Sequence, residues 1–261
     1  MDALLAAHRA AIAFMDTFDV APYVAFAASR PDIPLAAAAA YLALLVLGPR
    51  AMAQRPALTL RAPLFAWNAA LCLYSAAGAL FMLRHAAGVL AAQGLGATLC
   101  GARVYATGAP ALWLTLFMFS KLPELVDTAF LVLRKRPLSF LHCYHHASVM
   151  LYCWFAFALR SHLGYWFTLM NYVVHAVMYF YYALTSLGLA PPWGSAVTLL
   201  QIAQMVAGCA LCAYSAAVGC EARGSLAAAV LLYASYLVLF VQFFVARPGR
   251  KAGDKGGSKA A

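Results

Sequence analysis

Three histidines within five residues are the part of this sequence best suited to chemistry. His142, His145 and His146 lie in an apolar run, residues 138–157, that contains no Asp, Glu, Lys or Arg. On a helix their rings would fall within an arc of about 100° and would share one face. Imidazoles serve as nucleophiles, acids and bases near neutral pH. We predict that this face lines a reaction site rather than an inert core.

The chain around these histidines has the composition of a membrane protein. Of its 261 residues, 66% are hydrophobic and 10% are charged, against about 25% charged residues in soluble domains. We predict an all-α polytopic membrane protein with seven transmembrane helices. The predicted spans are residues 33–49, 62–83, 109–133, 138–159, 163–182, 193–216 and 225–246. The segment 84–108 is expected to be a loop on the membrane surface.

The charges indicate an orientation and three regions. Most of the 18 lysines and arginines fall on the cytosolic side if the N-terminus is outside and the C-terminus is cytosolic, as the positive-inside rule requires. We assign the basic excess to lipid headgroups, cytosolic loops or an anionic substrate, not to nucleic acid. Residues 1–32 are predicted as an outer segment with a short amphipathic helix, 33–246 as the seven-span domain and 247–261 as a basic, disordered tail.

The third predicted span carries charges at membrane depth. Lys121, Glu124 and Asp127 recur every three residues and would lie within an arc of about 120° on a helix. Such charges are costly in a bilayer, so they commonly mark functional sites. An ion cluster that only holds helices together is the alternative. Pro123 is expected to kink this helix.

Two later spans carry polar stripes. The stripe in the fifth span has helical spacing and consists of Asn171, His175, Met178 and Tyr182, with Tyr179 alongside. The sixth span carries Gln201 and Gln204, for which hydrogen bonding between helices is an equal alternative.

The polar groups of four spans fall at a similar depth when helices rise about 1.5 Å per residue. We therefore predict one buried polar chamber. It would open toward the basic turn Arg134-Lys135-Arg136, which could receive phosphate groups. An ordinary positive-inside anchor is the alternative for this turn.

The cysteines are expected to be structural. Cys143 would turn away from the histidine face, and Cys209 and Cys212 are typical of packing in an apolar helix. Cys100 and Cys220 fall in predicted loops on the non-cytosolic side, where disulfides can form. We predict a disulfide between these two.

Four motifs appear in order along the chain. They are Lys121-x-x-Glu124-x-x-Asp127-Thr128, His142-x-x-His145-His146, Asn171-x-x-x-His175-x-x-Met178-Tyr179-x-Tyr181-Tyr182 and Thr198-x-x-Gln201-x-x-Gln204. In this order and spacing the sequence resembles the ELO-type fatty acid elongases, which are membrane 3-ketoacyl-CoA synthases. The resemblance implies a multi-pass protein of the endoplasmic reticulum in which a closed ring of helices surrounds an acyl tunnel.

The implied reaction joins a long-chain acyl-CoA to malonyl-CoA and gives a 3-ketoacyl-CoA two carbons longer, carbon dioxide and CoA. By the same resemblance His145 would take the acyl group as an acyl-imidazole and His175 would assist at the carbonyl. His142 and His146 would orient the ring or move protons, and Asn171 would donate to oxyanion charge. No metal or redox cofactor is implied. The implied partners are the bilayer and the ketoacyl reductase, dehydratase and enoyl reductase of the elongation cycle, and a homo-oligomer is compatible.

Two other classes of protein are alternatives to an elongase. Membrane di-iron desaturases and hydroxylases also use His-x-x-His-His boxes, but they need about eight histidines, and this chain has seven. By the predicted topology only four of these lie near the chamber. A seven-helix transporter or receptor would explain the spans but not the clustered histidines and charges.

Overall fold

The described part of the protein, residues 2–101 and 107–246 of a computed structural model, is helical and contains no β-strand beyond one isolated bridge between Asp19 and Thr107. The predicted disordered tail, 247–261, lies outside the described residues. The helices are α1 (Asp2–Thr17), α2 (Ala21–Ser29), α3 (Asp32–Met52), α4 (Arg61–Cys100), α5 (Ala109–Ser120), α6 (Val126–Leu133), α7 (Phe140–Ala158), α8 (Leu163–Ser186), α9 (Gly194–Val218) and α10 (Arg223–Val245).

Four helices of the described residues are long and apolar enough to cross a membrane. They are α3, α4 up to Gly94, α9 and α10. Helices also occupy the other three predicted positions, as α5 with α6, α7 and α8. The first of these is divided, and α7 and α8 carry the histidines and many tyrosines, which lower their hydropathy. The chain is therefore a helical membrane protein.

Pro123 divides the third predicted span, as expected. A short 3₁₀ turn, Pro123–Leu125, separates α5 from α6. Proline has no N–H to donate and its ring obstructs the preceding turn, so it kinks or breaks a helix at interior positions. The tighter turn changes the direction in which the side chains on either side of it point.

The predicted surface loop 84–108 is instead largely helical, because α4 continues to Cys100. Alanine-rich sequence favours helix, and the one break is at Gly94, whose φ of 77° is accessible to glycine. Residues 102–106 of this segment lie outside the described part. The predicted disulfide is confirmed: Cys100 at the end of α4 is joined to Cys220, which follows α9.

The connection between α7 and α8 is four residues long, yet each of these helices packs chiefly on other helices. α7 ends in a Schellman motif in which Arg160 takes a φ of 53° and the amides of Arg160 and Ser161 bond back to Phe157 and Ala156. α7 packs chiefly on α10, α2 and α3, and α8 chiefly on α4 and α9. α5 contacts both α7 and α8, so it covers part of the surface that these two helices would otherwise present to each other.

The helix contacts follow one another around the bundle. α4 packs on α8, α8 on α9, α9 on α10, α10 on α7, α7 on α5 and α5 on α4. α3 packs outside this set on α6 and α7. The buried aromatic residues form two clusters, one around Trp113 and Tyr172 and one around Phe167 and Tyr233. The polar groups of the predicted chamber lie between these packed helices.

Candidate active site

The first turns of α7 position the three box histidines. Ser139 caps the helix by accepting a hydrogen bond from the His142 amide at 3.2 Å, which satisfies one of the free N–H groups at the start of the helix. The rings of His142 and His146, one turn apart, have centroids 4.3 Å from each other, and the ring of His145 is 5.5 Å from that of His146. The three imidazoles are therefore neighbours, as their spacing predicted.

The His142 ring is fixed by a neighbouring helix. Its Nε2 lies 2.8 Å from the hydroxyl of Thr128 on α6, a residue that is fully buried. The same hydroxyl lies 3.0 Å from the hydroxyl of Tyr41 on α3. Two helices thus determine where the first histidine of the box points.

Lys121 and Glu124 form a buried ion pair where α5 ends. The Lys121 Nζ donates to both carboxylate oxygens of Glu124, at 2.7 and 2.9 Å, and the Ser120 hydroxyl donates to one of them. Only 2% of Lys121 and 3% of Glu124 is exposed. Charges held this deep must be paired, and each partner would be destabilising alone.

The ion pair continues into α8 through a directional relay. The Lys121 Nζ also donates to the Asn171 Oδ1 at 3.2 Å, and the Asn171 Nδ2 lies 3.1 Å from the His175 Nε2. An ammonium can only donate, so the amide oxygen faces Lys121 and the amide nitrogen donates to His175. His175 Nε2 is then an acceptor, which leaves the proton of a neutral ring on Nδ1.

Asp127 is not part of the ion pair, contrary to the predicted three-membered charge cluster. Its carboxylate accepts hydrogen bonds from the Trp67 indole at 2.5 Å and from the Tyr179 hydroxyl at 2.8 Å. Glu124 lies within the 3₁₀ turn Pro123–Leu125 and Asp127 lies in α6, so the regular spacing assumed for one helix does not hold. The ring of Tyr179 meets that of His175 edge-on, with centroids 5.2 Å apart.

A cavity of about 320 Å³ adjoins the box on the side of the basic turn. Its polar lining consists of Asn68, Asp127, Arg134, His142, His146, Tyr179, Tyr182 and Thr185. Of the three basic residues of the predicted mouth, only Arg134 lines it. Lys135 instead donates to the Ala53 carbonyl at 3.1 Å, and Arg136 lines two smaller neighbouring cavities.

Two much smaller, apolar cavities of about 30 Å³ each follow toward the other end of the bundle. The first is lined by His145, Asn171 and Gln204 together with apolar side chains. The second is lined by residues farther along α7, including Ala156 and Phe157. On α7 the outer cavity is lined by residues 142 and 146, the first inner cavity by residues between 145 and 153, and the second by residues between 152 and 157. On α8 they run in the opposite sense, so the three cavities lie in a line.

The polar relay lies between the outer cavity and the two inner ones. Among the described residues, the ring of His145 has no hydrogen-bond partner, while its backbone carbonyl accepts from the Tyr236 hydroxyl at 3.3 Å. Its ring faces the first inner cavity, which Asn171 also lines. His145 thus has an unengaged imidazole next to an apolar space and a fixed amide, which suits a nucleophile.

The glutamines of the sixth predicted span have separate surroundings. Gln201 donates to the sulfur of Met178 at 3.4 Å, which is a hydrogen bond between helices, the alternative given above for this residue. Gln204 lines the same inner cavity as His145. The structure thus places Gln204, and not Gln201, beside the candidate nucleophile.

Several residues that support the site were not identified from the sequence. Trp67 bonds Asp127, Tyr41 bonds Thr128, and Tyr236 bonds both the His145 carbonyl and the Ser148 hydroxyl. An aromatic residue in an apolar helix is usually core, and only a polar partner on another helix distinguishes these three. In the part of the chain that the structure describes, no three His, Cys, Asp or Glu side chains are arranged to hold a metal ion.

Comparison with known proteins agrees with the motifs. A family model described as the GNS1/SUR4 family, ELO, matches residues 26–255. The chain is 37% identical over 250 residues to fatty acid elongase 3 of Trypanosoma brucei brucei, covering 82% of this chain and 83% of that protein. It is 38% identical over 215 residues to very long chain fatty acid elongase 6 of Drosophila melanogaster (78% and 68%) and 38% identical over 229 residues to long chain fatty acid elongase 1 of Caenorhabditis elegans (84% and 80%). With a family match over most of its length and relatives at this identity, the chain belongs to the ELO family of GNS1/SUR4 proteins.

Proposed function

We propose that this protein is a fatty acid elongase that condenses a long-chain acyl-CoA with malonyl-CoA. The products are a 3-ketoacyl-CoA two carbons longer, carbon dioxide and CoA. The relatives named above are fatty acid elongases. The observation that carries the proposal is the line of three cavities: a wide polar one at the basic turn, the histidine and amide relay, and then a narrow apolar path. In this proposal CoA enters by the first, the thioester lies at the second and the acyl chain extends along the third.

The first half-reaction transfers the acyl group to the enzyme. A ring nitrogen of His145 attacks the thioester carbonyl carbon, the carbon–sulfur bond breaks, and the acyl group is held as an acyl-imidazole. The proton lost by the ring leaves with the CoA thiolate, through His146 and His142, whose rings are adjacent. We assign the stabilisation of the negative charge that develops on the carbonyl oxygen to the remaining N–H of the Asn171 amide, which lines the same cavity as His145, and to the Nδ1–H of His175.

The second half-reaction forms the new carbon–carbon bond. Malonyl-CoA enters the outer cavity and loses carbon dioxide, and the carbanion so formed attacks the acyl carbonyl. The acyl–nitrogen bond then breaks, and the departing ring nitrogen takes up a proton from solvent through His142 and His146, which regenerates His145. Arg134 at the cavity wall binds CoA phosphates, and Asp127, held by Trp67 and Tyr179, keeps the wall of this cavity in place. Tyr182 at the wall of the outer cavity and Gln204 at the wall of the first inner cavity are proposed to contact substrate.

The same proposal includes the membrane topology. Seven helical segments cross the endoplasmic reticulum membrane, with the N-terminus lumenal and the C-terminus cytosolic, and six of them form a closed ring around the acyl tunnel. The succession of contacts from α4 through α8, α9, α10, α7 and α5 back to α4 supports the ring. The three enzymes that complete the elongation cycle, a ketoacyl reductase, a dehydratase and an enoyl reductase, are the proposed partners.

Incubation of the purified protein with palmitoyl-CoA and labelled malonyl-CoA tests the activity. The wild type is expected to release labelled 3-ketoacyl product and, without malonyl-CoA, to gain the mass of one acyl group. His145→Ala should lose both. His162→Ala is the matched control, because His162 precedes α8 at the opposite end of the bundle and lines none of the three cavities.

Each readout has an outcome against the proposal. No labelled product with any acyl-CoA would reject the reaction. An acyl adduct that survives in His145→Ala would reject the assignment of the nucleophile and leave the reaction standing.

A further inference from the structure

The two inner cavities are separated by side chains that they share. Four residues line both: Phe117, Tyr152, Cys153 and Phe167. The three aromatic members, which we call the aromatic partition, come from α5, α7 and α8. A cavity of about 30 Å³ has room for no more than a few water molecules, so neither space accepts a long alkyl chain unless the partition moves.

The position of the partition relative to His145 can be read from the rise of α7. Tyr152 lies about 11 Å beyond His145 along the helix axis, and Phe157 about 18 Å. An extended alkyl chain advances about 1.3 Å per carbon, given a carbon–carbon bond of about 1.5 Å. A chain attached at His145 would therefore meet the partition near its ninth carbon and reach the end of the second cavity near its fourteenth, to within about two carbons.

A contact with α10, at the wall of the first inner cavity, holds the partition in place. Phe167 packs on the ring of Tyr233 from α10, with centroids 4.1 Å apart. The Tyr233 ring lies in turn against Gly208 of α9, where a Cβ would overlap its Cγ, Cδ1 and Cε1 atoms. The overlap involves the near side of the ring, so rotation of the hydroxyl end cannot relieve it. A side chain at position 208 must therefore displace the ring of Tyr233, which packs on Phe167 and itself lines the first inner cavity.

We propose that the aromatic partition, set in place by Gly208 through Tyr233, determines which acyl chain lengths the enzyme accepts. The proposal rests on the elongase function proposed above. Chains of up to about nine carbons end before the partition, and longer chains must displace Phe167 and Tyr152 to pass it. Gly208 acts through Tyr233 and is a positioning residue, whereas Phe167 meets the chain itself.

The test is the elongation rate for saturated acyl-CoA substrates from eight to eighteen carbons. Gly208→Ala is expected to lower the rate for palmitoyl-CoA relative to the shortest accepted chain by about tenfold, since one methylene-sized change in an apolar pocket discriminates by that order. Phe167→Leu should shift the maximum rate to longer chains. The double variant should return the profile toward the wild type, because the smaller side chain at position 167 accommodates the displaced ring.

Gly88→Ala is the matched control, because a Cβ at Gly88 of α4 meets no atom within 4 Å; its profile should equal that of the wild type. A Gly208→Ala variant that loses rate equally at every chain length, or Gly208→Ala and Phe167→Leu variants with unchanged profiles, would overturn the proposal. If Gly208→Ala does not elute as a folded species, the Phe167→Leu profile decides alone. A wild type that elongates no acyl-CoA would refute the proposed function instead.

Discussion

Breaking the Lys121–Glu124 pair gives the sharpest test of how the site is built. Both side chains are almost fully buried, so Lys121→Met leaves a carboxylate without its countercharge. Removing one member of a buried pair costs about 3–5 kcal/mol. At about 2–4 °C per kcal/mol for a chain of this size, the midpoint of thermal unfolding should fall by roughly 6–20 °C. Glu124→Gln should act in the same direction, because it leaves the ammonium unpaired.

The double variant Lys121→Met/Glu124→Gln distinguishes a pair that serves catalysis from a pair that only holds helices together. It removes both charges, so stability should return most of the way to the wild type. Activity should stay low, because Asn171 no longer has the donor that orients its amide toward His175. A misplacement of about 1 Å at a catalytic group can cost about 100-fold in rate. The measurements are the unfolding midpoint in detergent and the rate of 3-ketoacyl formation.

An exposed ion pair in the same protein provides the control. Arg30 and Asp32 are joined at 2.7 Å with side chains 49% and 62% exposed, so Arg30→Met should leave both the midpoint and the rate unchanged. If activity in the double variant recovers along with stability, the pair only holds helices together. The relay from Lys121 to His175 would then have no part in catalysis.

Two further predictions concern the turns at the end of the bundle that carries the disulfide. Glu221 accepts hydrogen bonds from the Ser161 hydroxyl and the Leu163 amide. Glu221→Ala should therefore lower the free energy of unfolding by about 1–3 kcal/mol, and Glu221→Gln, which keeps an acceptor oxygen, should lower it by less. Equal falls in the thermal unfolding midpoint of the two variants would contradict this reason. Arg160 occupies the left-handed region at the end of α7, so Arg160→Gly should stabilise the protein by about 1 kcal/mol. Leu159→Gly is the control and should not stabilise it, because Leu159 has an ordinary helical φ. A lower unfolding midpoint for Arg160→Gly would show that contacts of the arginine side chain outweigh the backbone strain.

The histidine cluster could be predicted because its residues lie on one helix. One turn of helix separates His142 from His146 whatever the rest of the chain does, and the structure brings their rings together. The Asn171–His175 contact has the same origin. Such local geometry depends only on the helical repeat, so the sequence is sufficient for it.

The contacts between helices could not be predicted in the same way. The partners of Asp127 are Trp67 and Tyr179, on two other helices, and the sequence instead suggested Lys121 and Glu124 because they are close in the chain. The turn at Pro123 changes that register. The length of α4 was misjudged because an alanine- and glycine-rich segment is compatible with either a loop or a helix, and its disulfide and packing decide the outcome.

The disulfide and the Glu221 contacts restrict where the bundle can expand. Cys100–Cys220 fastens the tip of α4 to the turn after α9, and Glu221 in that turn holds the start of α8. The ends of α4, α8 and α9 are therefore fastened to one another at the end of the bundle opposite Arg134, so this end should expand least in thermal motion.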